Sequence, residues 1–279
     1  MTTRTTRFAA IVLLVATATL CIAQRGNRGR RQAETDRSGV PEWQNEVAFK
    51  KDVFTFVRIK YPSMRGWYGL DKWAIDYRDA DLNLSYRLQQ LTSLKVDPEG
   101  KVLELTDPEL FEYPWIYIVE PGDMELADEE VSCLRRYLLN GGFLMVDDFW
   151  GEREWMNFYE QIKRVFPDRE PVDLSMDHPI FHCVFDLKLE KNQLQVPNIG
   201  LGHQSQYNGG VTWERYDARE VHFRAIFDDK NRMMAIICHN TDNGDGWERE
   251  GESEYYFREF SEKKAYPLGI NIVFYAMTH

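Results

Sequence analysis

Gly141 and Gly142 are followed by four apolar residues (143–146), then by the paired carboxylates Asp147 and Asp148, two aromatics and Gly151. No other stretch restricts the fold as strongly. A short apolar run bounded by turn residues is the pattern of a strand buried on both faces, as in a parallel sheet covered by helices. Upstream, Val131, Leu134 and Leu138 form the inner stripe of a helix. Asp128 is expected as its N-cap, Glu129 and Glu130 suit its positive end, and Gly141 supplies the residue beyond its C-terminus. A helix running straight into a buried strand belongs to an α/β crossover. In open sheets of that kind ligands sit outside the carboxyl ends of the strands. Asp147 and Asp148 are therefore expected at the mouth of a site.

The flanking sequence extends the pattern. Residues 53–59 and 115–119 read as buried strands and residues 102–105 as a shorter one. Leu84, Leu88 and Leu91 repeat at helical spacing in a helix opening at Ala80 or Asp81, and residues 152–165 read as another helix, closed by Pro167. The order β-α-β-β-α-β-α predicts an α/β fold with a mainly parallel sheet. Beyond Pro167 the pattern loosens: residues 193–210 are polar and glycine-rich. Residues 223–227 and 233–238 predict a hairpin, residues 242–246 a turn-rich loop, and Leu268, Ile272 and Tyr275 one face of a closing helix from about Ala265.

The start of the chain is of a different kind. Arg4 and Arg7 precede an apolar run over residues 8–23, and Cys21 and Ala23 are small residues at the −3 and −1 positions of a cleavage site before Gln24. Residues 1–23 are thus expected to be a signal peptide, since the run falls short of the roughly 20 residues of a spanning helix. Residues 24–48 follow as a flexible linker poor in apolar side chains, and residues 49–279 as a single α/β domain. Export to the periplasm or cell envelope follows, with membrane contact only through the N-terminal segment if it stays uncleaved. Cleavage leaves Cys133, Cys183 and Cys238, an odd number with no metal or redox spacing. Cys133 and Cys238 are expected to be buried thiols, and one disulfide stays open. A net charge of −11 argues against a nucleic-acid partner.

Four groups of residues carry possible chemistry. The first is Asp147 and Asp148 with Glu152, Glu154, Trp150 and Trp155. Its carboxylates can ligate a divalent cation, act as an acid/base pair with one raised pKa, or merely cap the next helix. The second is His239, Asn240 and Asp242 with Asp245, Trp247 and Glu248. A metal or acid/base role competes there with ordinary Asx-turns. The third, His178 before Pro179 with His182, is a loop histidine that a backbone hydrogen bond would equally explain. The fourth is Arg58, Tyr61, Trp67, Asp81, Asn83 and Arg87, a mixture of polar and aromatic side chains suited to a small-molecule cleft. Phosphate-loop, dinucleotide, serine-hydrolase and zinc-protease motifs are missing from the sequence.

Taken together, several strings resemble a bacterial family, the domain of unknown function numbered 4159. They include Asp81, Asn83 and Arg87; Glu120, Pro121 and Gly122; the stretch from Leu134 through Gly151; Asp177, His178 and Pro179; His239, Asn240 and Asp242 with Trp247 and Glu248; and the ending from Leu268 to His279. The likeness covers roughly residues 50–279. It implies a fold similar to class I glutamine amidotransferases: a flavodoxin-like three-layer sandwich with an added β-hairpin. In those enzymes the strand at residues 143–146 would end in a nucleophilic cysteine. Here Asp147 and Asp148 stand in its place, which argues against glutamine hydrolysis by a Cys-His pair. Residues 198–204 also resemble an amidotransferase elbow, but Gly200 occupies the cysteine position and we read the match as coincidence.

The resulting expectation is an exported ligand-binding module for a carbohydrate-like or other envelope component, in a cleft walled by Trp67, Trp150 and Trp247. Two alternatives stand beside it. One is a metal-assisted hydrolase using a divalent cation, with Asp147 or Asp148 in bridging reach of His239 or His178 and Asp242 as a further candidate ligand. The other is a structural partner in an envelope assembly.

Overall fold

The computed structural model describes residues 39–49, 52–63 and 71–279. The expected signal segment, the linker up to residue 38 and Trp67 lie outside the described residues. The strands are β1 (Val57–Ile59), β2 (Lys101–Leu103), β3 (Trp115–Val119), β4 (Phe143–Asp147), β5 (Val172–Asp173), β6 (His222–Phe227) and β7 (Met233–His239). Their spatial order is β2-β1-β3-β4-β7-β6-β5. The run from β2 to β7 is parallel, and β6 and β5 are added antiparallel at one edge. The chain is therefore α/β with a mainly parallel sheet.

The helices are α1 (Asp79–Leu91), α2 (Asp128–Leu139), α3 (Gly151–Val165), α4 (Ile199–Ser205), α5 (Asn243–Glu248), α6 (Glu254–Tyr256) and α7 (Tyr266–Thr278), with a π-helical segment Phe257–Ala265 joining the last two. Every residue of β3, β4 and β7 is buried, as strands covered on both faces require. Alternate side chains enter separate cores. Tyr117, Met145 and Cys238 meet Leu84 of α1 and Leu268 of α7 on one face. Ile118, Val146 and Ile237 meet Leu134 of α2 and Phe158 of α3 on the other.

Several local expectations change. β1 is shorter than residues 53–59 suggest: Phe54 makes only an isolated bridge to Val96. Asp128 is the first helical residue of α2, and the Ala127 N–H ahead of it donates to Glu130 Oε2 at 2.7 Å. Residues 242–246 are not a loop, because the Asp242 carboxylate accepts the Asp245 N–H at 2.7 Å and starts α5. The string at residues 198–204 forms α4, with Asn198 Oδ1 accepting from Leu201 N–H at 3.0 Å. All three described cysteines are free; Cys238 is buried as expected, whereas Cys133 is half-buried. Among the described residues no helix is long and apolar enough to cross a membrane.

Candidate functional site

The carboxyl ends of the parallel strands meet at the turn from β4 into α3. Asp147 closes the strand, Asp148 takes a left-handed backbone conformation (φ 56°), and Gly151 opens the helix at φ 75°. A side chain at Gly151 would be strained by that φ, and its Cβ would lie 2.6 Å from Asp217 Oδ1. Asn240, at the end of β7, holds the turn. Its Oδ1 accepts the Gly151 N–H at 2.8 Å and its Nδ2 donates to the Glu220 carbonyl at 2.7 Å.

The two aspartates diverge here. Asp147 is fully buried and accepts three hydrogen bonds: from Asn243 Nδ2 at 2.8 Å, the Gly244 N–H at 3.0 Å and the Tyr117 hydroxyl at 3.2 Å. Burial nevertheless pushes its pKa up to about 7 against those donors. Asp148 accepts a single bond, from Trp150 Nε1 at 2.9 Å. It lines a cavity of about 780 Å³ together with Asp76, Asp242, Asp245, Glu214 and Trp150.

One carboxylate oxygen from each of Asp76, Asp148 and Asp242 lies within 4.8 Å of the other two, and Asp76, Asp245 and Glu248 form a second such group. Asp76 Oδ2 is buried without a hydrogen-bond partner. Burial raises the pKa of all three members of the first group. The next causes are Asp245 for Asp76, Asp76 for Asp148, and Asp148 for Asp242. Burial likewise pushes Glu248 up to about 7.

Four cations, Lys72, Arg153, Arg215 and Arg249, stand around this cavity, each with a carboxylate of its own. Lys72 pairs with Glu120, Arg153 with Asp123 at 2.8 Å, and Arg215 with Glu154 at 3.4 Å. Arg249 reaches Glu252 at 2.7 Å; its Nε is 2.6 Å from Glu248 Oε2, but poorly aligned for a hydrogen bond.

The remaining candidates lie elsewhere. Arg58 is fully buried; it grips Asp81 through Nε at 3.0 Å and donates from Nη1 to the Ile75 carbonyl at 2.8 Å, so this pair locks β1 to α1. Asn83 Nδ2 donates to the Trp247 carbonyl at 2.8 Å, and Arg87 pairs with Glu250 at 3.0 Å. Trp247 is fully buried, with Nε1 donating to the Ala265 carbonyl at 2.9 Å, and so is no cavity wall. His178 Nδ1 accepts the Ile180 N–H at 3.2 Å and its ring lies against Tyr275.

His239 projects to the sheet face opposite Asp147, among Phe149 and Trp155. Its Nδ1 accepts from Arg224 Nη1 at 3.1 Å, which leaves the ring proton on Nε2, 3.2 Å from the Gly151 carbonyl. Burial, then the Arg224 charge, lowers its pKa to about 3. Neither histidine joins a carboxylate group of metal-binding spacing. The structure thus assembles Asp148, Trp150, Glu154, Asp242, Asp245 and Glu248 from the expected residues and adds Asp76, Glu214 and the four cations. Asp76 has no sequence mark: it stands in an irregular segment between a short 3-10 turn (Lys72–Ala74) and α1.

A family model described as Domain of unknown function (DUF4159) matches residues 55–277. No curated protein matches the chain.

Proposed function

The chain belongs to the DUF4159 family, and from that premise we propose that it is a non-catalytic ligand-binding module of the cell envelope on an amidotransferase-like, flavodoxin-like frame. Three features support the frame. The parallel strands follow the order β2-β1-β3-β4-β7, which is the doubly wound order of flavodoxin-like sheets. Chain direction across the sheet reverses between β1 and β3, and the cavity lies outside the carboxyl ends, where such folds take ligands. Asp148 sits on a strained strand-to-helix turn, the position that presents a nucleophile in elbow folds. It offers a carboxylate there, and none of the described cysteines lines the cavity.

The observation that carries the binding reading is that cavity itself: one aromatic ring, Trp150, among carboxylates and four cations. Such a lining suits a small ligand rich in hydroxyls and bearing charge, as sugar-containing fragments of a cell wall are. Export through residues 1–23 is part of the same proposal. The test is titration of the full chain with soluble peptidoglycan fragments and neutral oligosaccharides, followed by calorimetry. Saturable binding is expected, weakened at least about tenfold by Trp150→Ala or Arg215→Ala, a loss of about 1.4 kcal/mol or more. Flat titrations throughout, or binding indifferent to both substitutions, would sink it.

A further inference from the structure

We infer that Asp76, Asp148 and Asp242 form a site for one hard divalent cation, of the Mg²⁺ or Ca²⁺ class; this rests on the reading of the cavity as a binding site. The three residues come from separate segments: the stretch before α1, the end of β4 and the end of β7. Their oxygens lie within 4.8 Å of one another. Two oxygens on a common ion are separated by at most about 4.2 Å for Mg²⁺ and about 5 Å for Ca²⁺, twice the metal–oxygen distance, so the spacing lies within the limit for Ca²⁺, and Mg²⁺ would need the carboxylates drawn closer together. All donors are carboxylate oxygens, which favour hard cations over zinc or copper.

An independent observation points the same way. Asp76 is only 9% exposed, and its Oδ2 is buried with no donor at all. Asp148 and Asp242 accept one donor each, from Trp150 Nε1 and the Asp245 N–H. Buried carboxylates in folded proteins ordinarily collect enough donors or a counter-charge, and Asp147, one residue away, collects three donors. Among the described residues no cation pairs with Asp76, Asp148 or Asp242, because Lys72, Arg153, Arg215 and Arg249 each hold another carboxylate and Arg58 is clamped on Asp81. Three such groups sharing one cavity, short of donors and of counter-charge, are open to a positive charge from outside the chain. A cation there would keep coordination positions open toward the cavity, for hydroxyl or carboxylate oxygens of a bound ligand.

The full chain, stripped with chelator and desalted, is titrated separately with CaCl₂ and MgCl₂ by calorimetry and thermal melting. One saturable site and a cation-dependent rise in Tm are expected for at least one of the two ions. Asp76→Asn and Asp242→Asn should each weaken binding at least about tenfold, the scale typical of damaged metal sites. Both variants should melt no lower than the parent in chelator, since the amide keeps the shape and removes repulsion. Asp229→Asn, on the exposed β6–β7 turn, should leave affinity unchanged. No response to either ion, or undiminished binding in Asp76→Asn, overturns the site and leaves a cluster held together by protons. If cation binding fails while glycan fragments still bind, the cation site alone is lost. If both fail, the cavity reading goes with it.

Discussion

Asp147 accepts three hydrogen bonds in a fully enclosed place, whereas Asp148, the next residue, accepts one and faces a cavity that it shares with Asp76, Asp242 and other carboxylates. The difference is made by the backbone. The pleat of β4 sends Asp147 to the face of Tyr117 and α5, as it sends Met145. The left-handed turn at Asp148 then directs that side chain away from the ladder. Asp147, and His239 on the other face, each have partners on both sides of the side chain, although Oδ1 of Asn243 beside Asp147 is buried without one. Around Asp76, Asp148 and Asp242 the chain leaves donors short. A saturated polar interior stabilises a fold; an unsaturated one beside a cavity is available for binding.

The comparison breaks most visibly at Asp147. Asp147→Ala leaves Asn243 Nδ2, the Gly244 N–H and the Tyr117 hydroxyl without their acceptor. A loss of about 3–5 kcal/mol is expected, read from urea unfolding. Asp76→Asn in chelator should have the opposite sign, gaining up to about 1 kcal/mol, because no donor is lost and one repelling charge is removed. Equal losses in the two variants would erase the distinction.

His239 tests the saturated interior by pH. Its folded pKa of about 3 lies below the ordinary value, about 6.5 in an unfolded chain. As pH falls below about 6.5, the unfolded state takes up a proton that the folded ring, facing Arg224, refuses. Stability from this group is therefore present above about 6.5 and is lost progressively toward about 3. The stability advantage of the parent over His239→Gln should shrink by roughly 2–3 kcal/mol between pH 7 and pH 4.5, measured as denaturant midpoints. A constant gap would mean that the folded ring takes up its proton as readily as the unfolded one.

Gly244 lies between the two regions: its N–H serves Asp147, and a Cβ on it would lie 2.3 Å from Asp76 Oδ2. Gly244→Ala is expected to cost about 1–3 kcal/mol through this clash. In an Asp76→Ala background the cost should fall below about 1 kcal/mol, since alanine suits a helix better than glycine. If the double-mutant cycle shows no coupling, Asp76 is not packed against α5.

These tests concern features of very different legibility. β3, β4 and β7 could be read from sequence because strands buried on both faces leave unbroken apolar runs. α5 could not: Asn243, Gly244, Asp245 and Gly246 have the composition of a turn, and the helix depends on Asp242 and Asp147 receiving its first N–H groups. The strand ends were legible as the place of a site, but Asp147 and Asp148 are chemically identical and only pleat and φ separate them. His239 and Asp242 are near in sequence, yet the register of Val146 with Ile237 places His239 on the face opposite Asp147. Asp76 follows no periodicity at all, so its arrival beside Asp148 was visible only in three dimensions.

The finest test concerns the single donor that Asp148 does possess. Trp150→Phe keeps an aromatic ring beside the cavity and removes the Nε1–H group, 2.9 Å from Asp148 Oδ1, together with part of the indole's volume. One hydrogen bond to a carboxylate that borders a cavity should contribute about 0.5–1.5 kcal/mol, well below the three-donor set of Asp147. With Asp148→Ala already present, the same tryptophan substitution should cost less by about that amount, because only the lost ring volume then counts and no acceptor remains to be abandoned. The measurement is the four-member unfolding cycle in chelator. A coupling energy above about 3 kcal/mol would place Asp148 in the saturated interior with Asp147, since a lone bond beside a cavity cannot supply that much. A small coupling leaves Asp148 with little structural duty and its remaining oxygen free for whatever the cavity holds.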